Sequence, residues 1–80
     1  MEWQPYWKPG DLFCYWNYTP NTVYVILKFH KSRRPDEPAD WRDMREYRAA
    51  NVLAANLGDG TLRHNVPMAI LESAQVSKVE

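Results

Sequence analysis

Leu53-Ala-Ala-Asn-Leu-Gly-Asp-Gly-Thr-Leu-Arg-His-Asn-Val66 is the stretch that decides which fold the sequence predicts. Its Asp59-Gly60 dipeptide favours a two-residue type I′ hairpin turn, because both central residues of that turn need positive φ. Pairing outward from the turn brings the large apolar residues onto one face, which we predict to be buried. The predicted pairs are Gly58–Thr61, Leu57–Leu62, Ala55–His64 and Leu53–Val66.

The register of this hairpin depends on the loop length. A three-residue loop over 58–60 would place Asn56 opposite Leu62, and a one-residue slip exchanges the core and solvent faces of a strand. The two-residue turn is therefore the better prediction. It points His64 into the core opposite the small Ala55, as a hydrogen-bonded structural histidine.

An earlier pair of strands is predicted around residues 12–18 and 23–30. Lys8-Pro-Gly-Asp11 reads as a turn before the first strand, and Thr19-Pro-Asn-Thr22 reads as a four-residue loop between the two. The predicted pairs are Tyr18–Val23, Trp16–Val25, Cys14–Leu27 and Leu12–Phe29. We assign these residues to the core face. The opposite face is also rather apolar for a solvated surface, and His30, at the end of its strand, is expected to be exposed.

The middle of the chain admits two interpretations. Residues 31–40 are polar with two prolines and predict an exposed loop, after which Asp40 could cap a helix. We favour a short helix over about 40–45 and a strand over about 47–57, because apolar residues alternate from Tyr47 onward. The alternative is one long helix over 41–57. Strands over 61–66 and 74–79, with a helical turn over 68–73 between them, complete the predicted elements.

This order of elements resembles SH3-like small barrels. The resemblance rests on three segments: Lys8-Pro-Gly-Asp-Leu12, Leu57-Gly-Asp-Gly-Thr-Leu62 and Leu71-Glu-Ser-Ala-Gln-Val76. With its starting PGDL and its later DGT hairpin, the chain resembles short proteins encoded by tailed bacteriophages. The resemblance covers residues 8–79 and implies a five-stranded SH3-like barrel with one short helix in a long loop after strand 2. It further implies a non-enzymatic binding module or virion-associated protein.

The totals limit the classes of protein that fit. Eighty residues allow one domain, and we expect an aromatic arm over 1–7 followed by the barrel over 8–80. A single Cys excludes an intrachain disulfide, and ten basic against ten acidic residues argue against a strongly basic nucleic-acid module. No signal peptide or membrane span is predicted. We expect a location in the host cytoplasm or in a virion.

Chemical sites are weakly indicated. His30 and His64 lie in different predicted strands without a third ligand nearby, so we predict no metal site and no cofactor. Acidic and basic residues alternate over 33–48, which is typical of a solvated segment rather than of a catalytic pair. We therefore predict that the protein is not an enzyme.

Four Trp and five Tyr in 80 residues are more aromatics than a small core needs, which favours a protein-binding surface. The expected partner is another protein or a second copy of the chain: the protein would be a phage structural or accessory subunit, or an inhibitor of a host protein. The predicted partner-binding residues are Trp3, Tyr6, Trp7, Trp41, Arg42 and Arg45. Alternatively, Trp3 and Trp7 fold back over the open end of the barrel.

Nucleic-acid binding is the second hypothesis. It would use an aromatic and basic face, on which bases stack and phosphates meet cations. The residues predicted for that face are Tyr15, Tyr24, Lys28, Lys31, Arg33 and Arg34, with His30 beside them. The acidic residues nearby would repel phosphate.

Overall fold

The chain is mainly β in the computed structural model, which describes residues 3–15 and 22–79. Six antiparallel strands form one sheet in the order β5-β4-β2-β1-β6, with β3 also paired to β2. The elements in chain order are β1 (Leu12–Tyr15), β2 (Val23–Lys31), β3 (Arg34–Pro38), α1 (Met44–Ala49), β4 (Ala50–Asn56), β5 (Leu62–Pro67), α2 (Met68–Leu71) and β6 (Val76–Val79).

The mainly β class is confirmed, whereas the strand number differs from the prediction. Within the described ranges β5 and β6 each pair on one side only, so the sheet is open. The additional strand is β3, which lies where we expected an exposed loop. The chain reverses at Arg33, whose φ is 64°. Pro35 and Pro38 are compatible with β3 because it pairs with β2 alone, and an edge strand can do without some of its N–H donors.

The core lies on the aromatic side of the sheet, opposite to the side we predicted. Phe13, Tyr15, Tyr24 and Ile26 are all buried, and Phe13 has no exposed surface. Its ring centroid lies 5.5 Å from that of Tyr24 in a stacked arrangement and 5.8 Å from that of Tyr15. Aromatic side chains bury about 150–250 Å² each, so this face gains more from burial than the aliphatic one.

The aliphatic residues of β1 and β2 do share a face, but that face is turned away from the core. Leu12 lies opposite Val25 rather than Phe29, and Cys14 lies opposite Val23 rather than Leu27. The predicted positions of Trp16, Tyr18 and the loop over 19–21 lie outside the described residues.

A β-bulge in β2 moves Phe29 to the core side. Ile26 pairs with Ala54 and Lys28 with Leu53, so one extra residue is inserted in β2. Leu27 and Lys28 are both exposed between the buried Ile26 and Phe29. The strict alternation that grouped Phe29 with Leu27 ends at this bulge.

The hairpin between β4 and β5 has a four-residue loop instead of the predicted two-residue turn. Asn56 N–H donates to the Thr61 carbonyl at 2.8 Å, and Gly60 N–H donates to the Asn56 carbonyl at 2.9 Å. The Asn56 side-chain oxygen also accepts from Gly58 N–H at 2.7 Å. Gly60 has a φ of 76°, whereas Asp59 does not have the positive φ that a type I′ turn needs. The Asn56 side chain stabilises the longer loop.

As a result, the register of this hairpin also differs from the prediction. Ala55 pairs with Leu62, not with His64, and Val52, not Leu53, pairs with Val66. A second irregularity inserts one residue of β5 opposite Leu53. It brings Val66 to the core side.

The predicted short helix followed by a strand is confirmed, and the single long helix over 41–57 is wrong. The helix covers Met44–Ala49 instead of about 40–45, and β4 begins at Ala50, so residues 47–49 are helical rather than extended. Asp43 rather than Asp40 is its N-cap, with Oδ1 accepting from Arg45 N–H at 2.9 Å and from Glu46 N–H at 3.2 Å. Asp40 instead accepts from Arg42 N–H at 3.0 Å in the preceding turn.

Both helices and the N-terminal segment cover the aromatic side of the sheet. Tyr47 of α1 and Met68 and Leu71 of α2 are buried there, together with Trp7. Neither helix in the described part of the chain has the length and apolarity needed to cross a membrane.

Candidate functional site

The side of the sheet that faces away from the core is aliphatic, and we call it the outer face. Its cross-strand pairs align one row of apolar residues across five strands. This row consists of Val79, Leu12, Val25, Ala55 and Leu62. A neighbouring row consists of Ser77, Cys14, Val23 and Leu57, whose N–H donates to the Val23 carbonyl. Leu27, Lys28 and Leu53 form a third row at the bulge.

Three leucines leave much apolar surface exposed on the outer face. Leu27 is 46% exposed, Leu57 is 57% exposed and Leu62 is 48% exposed. Leu12, Val25 and Ala55 lie partly exposed between them. Among the described residues of the three rows, Lys28 is the only one with a charged side chain. Large contiguous apolar patches on small proteins mark interaction sites.

The sequence analysis placed most of the apolar outer-face residues in the core, namely Leu12, Cys14, Val23, Val25, Leu27, Leu53, Ala55, Leu57 and Leu62. Grouping them on one face was correct, because period-two alternation fixes which residues share a face. The choice of which apolar face is buried was wrong, because the core lies on the other face. The available signal was residue size, since the aromatic residues lie on the opposite face.

Trp41, Arg42 and Arg45 lie near the start of α1, away from these rows. Trp41 is partly buried, and its ring centroid lies 6.5 Å from that of Phe29. The Arg42 guanidinium lies 4.5 Å from the Trp41 ring centroid, a cation–π contact. Arg45 is exposed, as is Met44 at 39%. The structure therefore brings three of the predicted partner-binding residues to one corner of the molecule.

The N-terminal aromatic residues have different environments. Trp7 is only 2% exposed, so its side chain belongs to the core. Trp3 is partly exposed and packs edge-on against Tyr47, with ring centroids 5.2 Å apart. Tyr6 is 57% exposed, with the Lys78 ammonium 4.0 Å from its ring centroid. Only Trp3 and Tyr6 of this group present surface to a partner.

The aromatic and basic face predicted for nucleic acid is not assembled. Tyr15 and Tyr24 are each 6% exposed and lie in the core, so their rings offer no stacking surface. The Tyr24 hydroxyl accepts from Arg63 Nε at 3.0 Å, and the Arg63 guanidinium lies 5.3 Å from the Tyr15 ring centroid. Both tyrosines of this predicted site are therefore part of the hydrophobic core.

The basic residues of the same predicted site lie elsewhere. Lys28 is on the outer face, whereas Lys31, Arg33 and Arg34 are exposed at the β2–β3 turn. Glu37 lies 3.2 Å from Arg34 Nη1 and 3.9 Å from Lys31 Nζ. This carboxylate offsets part of the positive charge at the turn.

Both histidine predictions are wrong. His30 is 1% exposed, whereas His64, two residues after the exposed Leu62 on β5, is exposed. His30 lies between Asn51 of β4 and Pro38 of β3. Its Nδ1 lies 3.0 Å from the Lys31 carbonyl oxygen, and its buried Nε2 has no hydrogen-bond partner among the described residues.

Burial also perturbs one phenol. The pKa of Tyr47 is raised, chiefly because burial penalises the charged tyrosinate, while a hydrogen bond from Trp7 N–H to the hydroxyl at 3.2 Å acts in the opposite direction. In the β4–β5 loop the pKa of the exposed Asp59 is lowered by its hydrogen bonds with Thr61. Both groups serve the fold.

The described histidine, cysteine and acidic side chains do not form a group of three or more that could hold a metal ion. A groove of about 490 Å³ is lined by residues that include Trp7, Glu72 and Lys78. Lys78 Nζ lies 3.4 Å from the Asp11 carboxylate and 4.9 Å from the Trp7 ring centroid. These contacts join β6 to the N-terminal segment.

In comparisons with known proteins, no family model, no curated protein and no solved structure matched this chain.

Proposed function

We propose that this protein is a non-enzymatic protein–protein interaction module that binds through its outer face. The observation that carries the proposal is the alignment of aliphatic residues across five strands, with Leu27, Leu57 and Leu62 about half exposed. Covering such a face with another protein removes apolar area from water, which is worth roughly 25 cal/mol per Å² before the costs of association.

A second contact at the Trp41 corner is part of the proposal. Trp and Arg are enriched among the residues that dominate binding energies. The Arg42 guanidinium over the Trp41 ring and the exposed Arg45 supply both residue types at one place. Tyr6 and Trp3, which are accessible in part, stay predicted partner contacts.

We also propose that the sheet is an elaborated SH3-like barrel. Support comes from the order β5-β4-β2-β1-β6 and from the short α2 between the last two strands. In this proposal the β3 hairpin and α1 are an insertion after β2. The phage origin and the location in the host cytoplasm or a virion remain predictions.

The test is affinity capture with a tagged chain, with and without nuclease. The bait is presented to host lysate and, separately, to a differently tagged copy of itself. We expect a stoichiometric protein partner that survives nuclease and is lost with Leu27→Lys. Ile70→Lys is the matched control, because Ile70 is an exposed apolar residue on α2.

Two results would contradict the proposal. One is recovery of nucleic acid with every protein lost after nuclease, which would favour the basic turn around Arg33. The other is protein binding that Leu27→Lys and Ile70→Lys affect equally. Circular dichroism and urea unfolding of each variant establish that the bait is folded.

A further inference from the structure

We propose that the outer face binds the outer face of a second copy of this chain, forming a symmetric dimer in which two sheets pack face to face. This inference rests on the proposed function and names its partner. It is argued from the size of the face, its lack of charge and the shape of the molecule.

The outer face has the area that a dimer needs. Its three cross-strand rows span five, four and two strands, and they fit within roughly 24 by 20 Å at the spacings of a sheet. Two copies would cover on the order of 1,000 Å² in total, which is the lower limit for a specific interface.

The charge distribution favours a copy of the same chain. Interfaces between different proteins commonly match a positive patch with a negative one. Here Lys28 is the single charged side chain within the described rows, so specificity has to come from shape. A two-fold axis uses the same patch on both copies, so the evenly apolar rows need only fit against themselves. The formal net charge of zero also removes overall repulsion between them.

The shape of the molecule agrees with this arrangement. Its extents are 34, 30 and 18 Å, so the molecule has the shape of a slab. The aromatic side is covered by α1, α2 and Trp7, whereas the outer face has no such cover among the described residues. A second sheet packed about 10 Å away would complete a two-layer sandwich.

The test is the oligomeric state of the purified full chain as a function of concentration. We expect sedimentation equilibrium to show a reversible monomer–dimer transition. Small-angle X-ray scattering should show the radius of gyration rising from the monomer's 12.2 Å to roughly 15 Å, the value for two slabs stacked as in a sandwich. Pairing through strand edges would instead give roughly 19 Å.

Substitutions locate the interface. Leu27→Lys and Leu62→Lys are each expected to raise the dissociation constant on the order of 30-fold or more, because an ammonium group would be buried without a partner. Ile70→Lys makes the same change outside the outer face and should leave the dissociation constant unchanged. All three positions are partly exposed, so the monomer should remain folded.

Cys14 provides an independent readout, since it is the only cysteine and lies on the outer face. Its rate of alkylation should fall in proportion to the monomer fraction as concentration rises. In Leu27→Lys the rate should not depend on concentration over the same range.

Three outcomes would overturn the proposal: a monomer at every concentration, a dimer of edge-to-edge dimensions, or a dimer insensitive to both outer-face substitutions. A monomer that binds a different protein through Leu27 would overturn the second copy as partner while leaving the proposed function intact. A monomer for which capture also finds no protein would overturn both.

Discussion

Lys28 of β2 lies opposite Leu53 of β4, two residues beyond Ile26 on β2 but one residue before Ala54 on β4. This mismatch is the bulge that lets Ile26 and Phe29 both reach the core. Deleting Leu27 should therefore lower the free energy of unfolding by more than about 3 kcal/mol, because one core side chain would turn to solvent. Leu27→Ser keeps the backbone count and should cost about 1 kcal/mol or less. Urea unfolding compares the two, and equal costs would contradict the role of the bulge.

The choice of core face is tested by two adjacent residues. Phe13→Ala should cost about 3–5 kcal/mol, since Phe13 has no exposed surface and contacts several rings. Leu12→Ala, on the outer face, should cost about 1 kcal/mol or less in the monomer. The measurement is urea unfolding at a concentration below any self-association. A larger loss of unfolding free energy for Leu12→Ala than for Phe13→Ala would support the sequence prediction that Leu12 lies on the core face.

Alkaline pH should destabilise the fold through Tyr47. Its pKa is raised in the folded state, so the stability it contributes is fully present below the unfolded value near 10 and is lost as pH rises above it. We expect the free energy of unfolding to fall as the pH rises through this range. Urea unfolding at several pH values measures it. Tyr47→Phe should make the decline shallower. An unchanged slope would assign the effect to other groups.

Of the two aspartates near the start of α1, only Asp43 caps the helix. Asp43→Ala should cost about 0.5–2 kcal/mol, because Asp43 accepts from two N–H groups at the start of α1. Asp40→Ala should cost less, since Asp40 accepts from Arg42 N–H in the turn before the helix. Thermal unfolding monitored by circular dichroism measures both. The opposite order would move the start of the helix towards Asp40.

His30 should tolerate an apolar replacement better than truncation. His30→Ala should cost about 2–4 kcal/mol by leaving a cavity in a buried site. His30→Leu fills much of that volume and removes the unpartnered Nε2, whose burial costs about 1–3 kcal/mol, so its stability should be close to that of the parent chain. A loss for His30→Leu as large as for His30→Ala would indicate that the imidazole has a partner in solution.

Much of the fold could be predicted because alternation and turn residues are local signals. They predicted strands over 12–18, 23–30, about 47–57, 61–66 and 74–79 and a helical turn over 68–73, and each of these overlaps an observed element. They also favoured a short helix and a strand over one long helix between 41 and 57. The β3 hairpin was missed because two prolines in five residues argue against a strand unless its edge position is known.

For the candidate site, the sequence predicted only which residues lie together on one face of the sheet. Alternation placed Leu12, Val25 and Leu62 on the same face as their neighbours, but two bulges next to Leu53 changed the partners of Phe29 and Val66. Bulges depend on cross-strand packing and carry little local signal.

The sequence by itself determined which residues share a face between the bulges, because side-chain direction along a regular strand follows from backbone geometry. Only the tertiary structure decided which face is buried. Both faces of β1 and β2 are apolar. The aromatic face is the buried one because Trp7, Tyr47 and Leu71, which are distant in sequence, pack against it. Burial depends on the area that the whole chain can cover at once, which no single segment encodes. The aliphatic face was left exposed, and it is there that we place the partner.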